Sequence, residues 1–128
     1  MLFRSENDVC GNRESGIFVF AGAQPRVADN VCHTNHHFGI AVRDPGSHPE
    51  LVRNQCRKNM LSGILLFHHA EALLVNNTCR DNQHWGIVLT PDCHPTPDRE
   101  SLDTSNMLTP NPRGAVIVTD QPLGDIGR

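Results

Sequence analysis

A chain of 128 residues holds one domain, and 38% hydrophobic content with five Phe, one Trp and no Tyr suits thin stacked aliphatic layers better than one large globular core. A formal charge of -3, a pI near 6.2 and scattered Lys and Arg exclude the basic stripe that nucleic acid or an anionic membrane surface requires. No run approaches the roughly 18 apolar residues of a membrane span, and the segment from Met1 to Val9 carries Arg4, Glu6 and Asp8 where a signal peptide needs an apolar stretch. The expectation is a soluble, unprocessed chain whose sequence assigns no compartment.

In chain order, the first recognisable pattern is Asn7, Cys10, Asn12 and Gly16, with no capping segment before it. An uncapped first repeat exposes pairing edges, so residues 1–128 read as a single domain that is a module or fragment of a longer solenoid. The pattern returns as Asn30-Val31-Cys32, Asn54-Gln55-Cys56 and Asn77-Thr78-Cys79. Each is followed by a second Asn (Asn35, Asn59, Asn82) and then by Gly-Ile (Gly39, Gly63, Gly86). With Gly16 and Gly114 the glycines are spaced 23, 24, 23 and 28 residues apart, and self-similarity at that period decides the architecture.

Short β-branched runs follow each glycine, from Gly16-Ile17-Phe18-Val19 to Gly114-Ala115-Val116-Ile117. A second run precedes each first Asn (Arg26-Val27-Ala28, Glu50-Leu51-Val52, Leu73-Leu74-Val75), and a third surrounds each Cys. Three short strands per repeat, with like residues at like places, predict an all-β parallel β-solenoid of about five coils stacked about 4.8 Å apart. Cys10, Cys32, Cys56 and Cys79 are then expected to point inward as a ladder that Leu108 completes. Asn30, Asn54, Asn77 and Asn106 form one amide ladder, and Asn12, Asn35, Asn59 and Asn82 a second, with glycine supplying the bend into the next strand. The fourth repeat is longer, which marks residues 91–105 as an inserted loop; residues 119–128 form a C-terminal tail.

These Asn-x-Cys-x-x-Asn-x-x-x-Gly-Ile coils resemble the right-handed parallel β-helix repeats of the pectate-lyase-like superfamily, which also occur in carbohydrate-binding and sugar-hydrolysis modules. The resemblance runs over residues 6–118 and implies a right-handed coil. It implies no particular reaction, because fold alone does not carry function. The Arg-centred base and multi-Asp calcium pattern of pectate lyases is missing, as are the Asp pairs with Gly-His-Gly of polygalacturonases. Asp44-Pro45-Gly46-Ser47-His48 is a distant echo of the Asp-Pro-His-Asp motif of alginate C5-epimerases.

Four of the five cysteines recur at the coil period rather than in the close pairs of zinc sites, which favours buried thiols over disulfides or metal ligands. Counting five and six residues past each glycine brings Asp44, His68, His69 and Asp92 into one turn of successive coils. Carboxylates beside imidazoles suit general acid/base work or a divalent cation, so these four are the candidate catalytic residues. The insertion leaves from the same turn and adds His94 as a candidate binding residue. Period-two alternation sends Phe18, Phe20, Leu65 and Phe67 outward with Ala41, Arg43, Val88, Thr90, Val116 and Val118, a face apolar enough to expect a partner.

Two functions follow. The favoured one is a non-catalytic module that presents a stacked surface to a polysaccharide or a protein partner, with no cofactor. The alternative is a polysaccharide-active enzyme of the uronate lyase or C5-epimerase type, for which calcium would be the cofactor. Neither nucleic acid nor membrane is an expected partner. An open end coil or the apolar face offers a route to a homo-oligomer.

Overall fold

The computed structural model describes residues 3–121, so residues 122–128 of the expected tail lie outside the described residues. The first coil comprises β1 (Phe3–Ser5), β2 (Asp8–Cys10) and β3 (Ile17–Val19); the second β4 (Arg26–Ala28), β5 (Val31–His33) and β6 (Ile40–Arg43). The third comprises β7 (Glu50–Val52), β8 (Gln55–Arg57) and β9 (Ile64–Phe67); the fourth β10 (Glu71–Val75), β11 (Thr78–Arg80) and β12 (Trp85–Leu89). The fifth has β13 (His94–Thr96) and β14 (Gly114–Val118), and a bridge from Thr78 to Met107 stands where its middle strand would be. Like strands pair in parallel into three sheets, β1-β4-β7-β10-β13, β2-β5-β8-β11 and β3-β6-β9-β12-β14. The chain is an all-β, right-handed parallel β-helix of three strands per coil.

The register explains the core. Ile17, Ile40, Ile64 and Ile87 lie in one column of the third sheet, and Val19, Val42, Leu66 and Leu89 in another. They meet Val27, Leu51 and Leu74 from the first sheet and Cys32, Cys56 and Cys79 from the second, all buried in one cluster. Each fully buried aliphatic side chain contributes about 1.5–3 kcal/mol, so the small, repeated core is adequate. The described cysteines are all free. Cys10, however, is exposed and pairs with His33, while Val9 pairs with Cys32 and heads the column. The reason is parity: Cys10 stands three residues after Asn7 rather than two, and one residue along a strand turns a side chain to the other face.

Both amide ladders form inside the solenoid. Asn54 donates through Nδ2 to Asn77 Oδ1 at 3.0 Å and to the Val27 carbonyl at 2.8 Å, while its own Oδ1 accepts from the Asn30 backbone N–H and side-chain amide. Each such Asn therefore ties its coil to the ones before and after. The first ladder also includes Asn7 and the second ends on Asn111. In the first four coils the bend falls on the residue before the ladder Asn: Glu6, Asp29, Arg53 and Asn76 in one row, and Gly11, Thr34, Lys58 and Asp81 in the other, all have left-handed φ.

The repeat glycines do a different job from the expected bend. Gly16, Gly39, Gly63 and Gly86 lack positive φ; a Cβ on Gly39 would lie 2.8 Å from Cys56 Sγ and 2.9 Å from the Gly63 carbonyl oxygen. Glycine is required there by close approach between coils. In the last coil Gly114 pairs with Trp85, so Val116 stacks on Ile87, Val118 on Leu89, and Ile117 takes the outer side. The expectation that Val116 and Val118 face outward is thus one residue out of register.

Outside the third sheet a second apolar layer covers part of the outward face. Phe38 and Leu61, with half-buried Trp85, pack over Ala41, Leu65 and Val88. Leu65 does face outward but is only 2% exposed, which corrects its reading as an open binding residue. The 91–105 insertion is likewise packed. It contains β13, a 3-10 turn (Arg99–Ser101) and a short helix α1 (Leu102–Ser105), whose Leu102 is buried in the main core.

Candidate functional site

The turn that follows the third sheet begins with residues whose left-handed φ recurs from coil to coil, at Ala21, Asp44 and His68. His69 shares that conformation, which fixes both imidazoles on the surface of the third turn. Because Ala21 adopts the same geometry, the backbone strain belongs to the repeat and not to a reaction. His69 Nε2 lies 3.4 Å from Asp92 Oδ2, an ion-pair distance between half-exposed groups. Asp92 also accepts from the Thr90 hydroxyl through Oδ1. That hydrogen bond, opposed by partial burial and aided by His69, holds the Asp92 carboxyl below the usual carboxylate range.

The other expected pair does not form. Asp44 accepts from the Ala21 backbone N–H at 2.9 Å and lies 3.3 Å from Arg43 Nε, so its carboxylate ties its turn to the preceding coil and not to His68. The His68 ring instead packs on Phe67, with centroids 5.0 Å apart. A cleft of about 370 Å³ opens beside them, lined by Phe67, His68, Thr90, Pro91, Asp92 and Asp120. His94 is elsewhere: it is paired with Glu71 in the first sheet, exposed on the outer surface. Cys93, next to it, is buried in the core with its Sγ 3.2 Å from Thr90 Oγ1, and burial pushes its thiol up. Arg99 closes the loop by donating to the Pro91 carbonyl at 2.6 Å.

Calcium takes about six to eight oxygen ligands. The described lining of the cleft offers the carboxylates of Asp92 and Asp120 and the Thr90 hydroxyl, fewer side-chain oxygens than calcium takes.

An aromatic patch adjoins the cleft. Phe18 and Phe20 are 43% and 50% exposed and meet edge to face at 5.4 Å, and Phe67 lies 6.5 Å from Phe18. The Arg43 guanidinium sits over both exposed rings, 5.3 Å and 5.8 Å from their centroids. Its Nε is shielded from solvent without a hydrogen-bond partner, since Asp44 is within ion-pair distance but out of hydrogen-bond alignment. Residues spread along the sequence from Phe18 to Asp92 thus form one continuous surface: Phe18, Phe20, Arg43, Phe67, His68, His69 and Asp92.

One cluster escaped the sequence reading. Asp8, Cys10 and His33 bring a carboxylate, a thiol and an imidazole within 4.8 Å of one another on the outer face of the second sheet. Counting the first coil from Asn7 to Val9, in place of Cys10, would have turned Cys10 outward and set it beside His33.

Among the described residues no helix is long and apolar enough to cross a membrane. Searches of curated proteins and of solved structures return no match. A family model described as "Right handed beta helix region" matches residues 1–120, which is nearly the whole chain and agrees with the coil register, the three sheets and the two amide ladders. The chain belongs to the right-handed β-helix family.

Proposed function

We propose that the chain is a non-catalytic β-helix module that binds a carboxylate-bearing polysaccharide across the third sheet and the turn beyond it. The observation that carries this reading is the Phe18, Phe20 and Phe67 patch with Arg43 laid over it. Exposed rings on and beside rigid strands offer apolar surface against which a sugar face can pack. A guanidinium with open donors supplies the planar, paired contact that a uronate carboxylate accepts. The cleft at Phe67 extends the platform along the solenoid axis, as a linear chain requires.

Isothermal titration calorimetry with oligogalacturonate, oligoguluronate and a neutral cello-oligosaccharide tests it. The acidic oligomers should bind and the neutral one only weakly. Phe18→Ala with Phe20→Ala, or Arg43→Gln, should weaken acidic binding by about tenfold or more, worth about 1.4 kcal/mol. If neither acidic oligomer binds the native chain, the reading fails and a protein partner becomes the occupant to seek.

The His69–Asp92 pair favours a second reading, an enzyme of the uronate lyase or epimerase type with His69 as base and Asp92 orienting it. Turnover of alginate or pectin, with and without calcium, that is lost in His69→Gln would establish it. No turnover of either polymer leaves the module reading, whereas turnover unchanged by that substitution overturns it and places the base elsewhere than His69.

A further inference from the structure

We infer that Asp8, Cys10 and His33 form a binding site for a zinc-class divalent ion, separate from the glycan face and independent of that reading. Their placement follows from the register. Val9 is directed into the core above Cys32, so its neighbours Asp8 and Cys10 both emerge on the outer face of the second sheet. His33, paired with Cys10 across the strands, emerges on the same face one coil further on.

The imidazole is already oriented for coordination. His33 Nδ1 lies 2.9 Å from Thr34 Oγ1, and Nε2 lies 2.8 Å from Asp8 Oδ1. If Nδ1–H donates to the Thr34 hydroxyl, Nε2 is the nitrogen left to bind a metal, and this is how outer-shell partners fix the tautomer of ligating histidines. A divalent ion would sit beside Asp8 Oδ1 on the Nε2 lone pair of this neutral tautomer, and the Cys10 thiol gives its proton to solvent as its thiolate binds.

The donor set selects the ion. One thiolate, one imidazole and one carboxylate suit zinc or cobalt, whereas calcium and magnesium want oxygen alone. Bonds of about 2.0–2.3 Å require ligand atoms roughly 3.3–3.7 Å apart. Donor atoms within 4.8 Å reach that spacing through side-chain rotation, which the exposed Asp8 and Cys10 can supply. The fourth position is open to water. Arg57, the partner of His33 in the next strand, opposes a cation there, and the two negative charges of Asp8 and the thiolate outweigh it. The other described cysteines are buried, so a thiolate signal in the folded protein reports Cys10.

Cobalt titration of the native chain, followed by absorbance, tests the assignment. One equivalent should produce a thiolate-to-cobalt charge-transfer band with the visible bands of tetrahedral cobalt, and zinc should displace both. Cys10→Ser should abolish the charge-transfer band. By zinc calorimetry Asp8→Asn and His33→Ala should each bind at least about tenfold more weakly, and Thr34→Ala about tenfold. Circular dichroism confirms that each variant retains its strands. No charge-transfer band at millimolar cobalt, or a band that persists in Cys10→Ser, overturns the proposal. Oligosaccharide binding by the Cys10→Ser variant should match the native chain, so the two sites fail or stand separately.

Discussion

Asn54 shows how much one side chain carries in this fold. It is fully buried and makes bonds to the coil on either side, so Asn54→Ala removes the acceptor that the Asn30 backbone N–H and side-chain amide use and the amide donor to Asn77 and Val27. Each group left unpaired costs about 1–3 kcal/mol, and chemical denaturation should show a loss in that range or above. Thr90 acts on a smaller scale. Its hydroxyl is the main reason that the Asp92 carboxyl sits low, so Thr90→Val should raise the Asp92 pKa toward the ordinary value in an NMR titration. The sign for stability follows: a carboxylate depressed in the folded state favours folding above its unfolded pKa, and that contribution disappears as pH falls through the folded value. The native chain should therefore lose more stability than Thr90→Val as the pH is taken below about 4, where the difference is read. Residues fixed by stacking, such as Asn54 and Cys56, were legible because the repeat dictates their neighbours. The His69–Asp92 approach was legible for the same reason. Asp44 was not, since a backbone N–H and an adjacent guanidinium compete for its carboxylate and neither leaves a periodic trace.

At the level of the coil, two positions trade backbone freedom for side-chain space. Lys58 is exposed and holds a left-handed φ of 55°, which costs a non-glycine residue about 1–2 kcal/mol. Glycine removes that strain and adds about 0.5–1 kcal/mol of unfolded-state entropy, so Lys58→Gly should raise stability by about 0.5–1 kcal/mol and lift the melting temperature. Gly39→Ala should do the reverse by about 1–3 kcal/mol or more, because its Cβ meets Cys56 and the Gly63 backbone. The repeat period announced the coils and the three sheets. It did not reveal which residue bends, because Asp29, Arg53 and Asn76 share a conformation and no chemistry. Nor did glycine alignment survive in the fifth coil, where Ala115 holds the place and Gly114 makes room for the Trp85 ring. Leu65 was misread as open because alternation along a strand tells which way a side chain points, while Phe38, Leu61 and Trp85, which cover that face, come from the preceding turns.

For the whole molecule, β3 and β14 are the edge strands of the third sheet, and Phe18 on β3 and Phe20 just past it lie open at that edge. Exposed parallel edges and apolar rings favour self-association. Sedimentation equilibrium should show mean mass rising with concentration, and Phe18→Asp with Phe20→Asp separates association through the rings, which it lowers, from association through an end coil, which it leaves. A monomer at all concentrations would exclude both. The amide ladders give those two ends unlike characters. Every rung donates toward the later coil, from Asn7 to Asn30 and onward to Asn106, and from Asn12 to Asn35 and onward to Asn111. The last two amides turn back, to Leu102 and Leu108 carbonyls, while among the described residues nothing donates to the Oδ1 of Asn7 or Asn12. The solenoid is therefore an arrow. A duplicate coil spliced ahead of Asn7 would find two acceptors in register, and one spliced behind Asn111 would find its donors already spent, so the molecule can be lengthened by design from one end only.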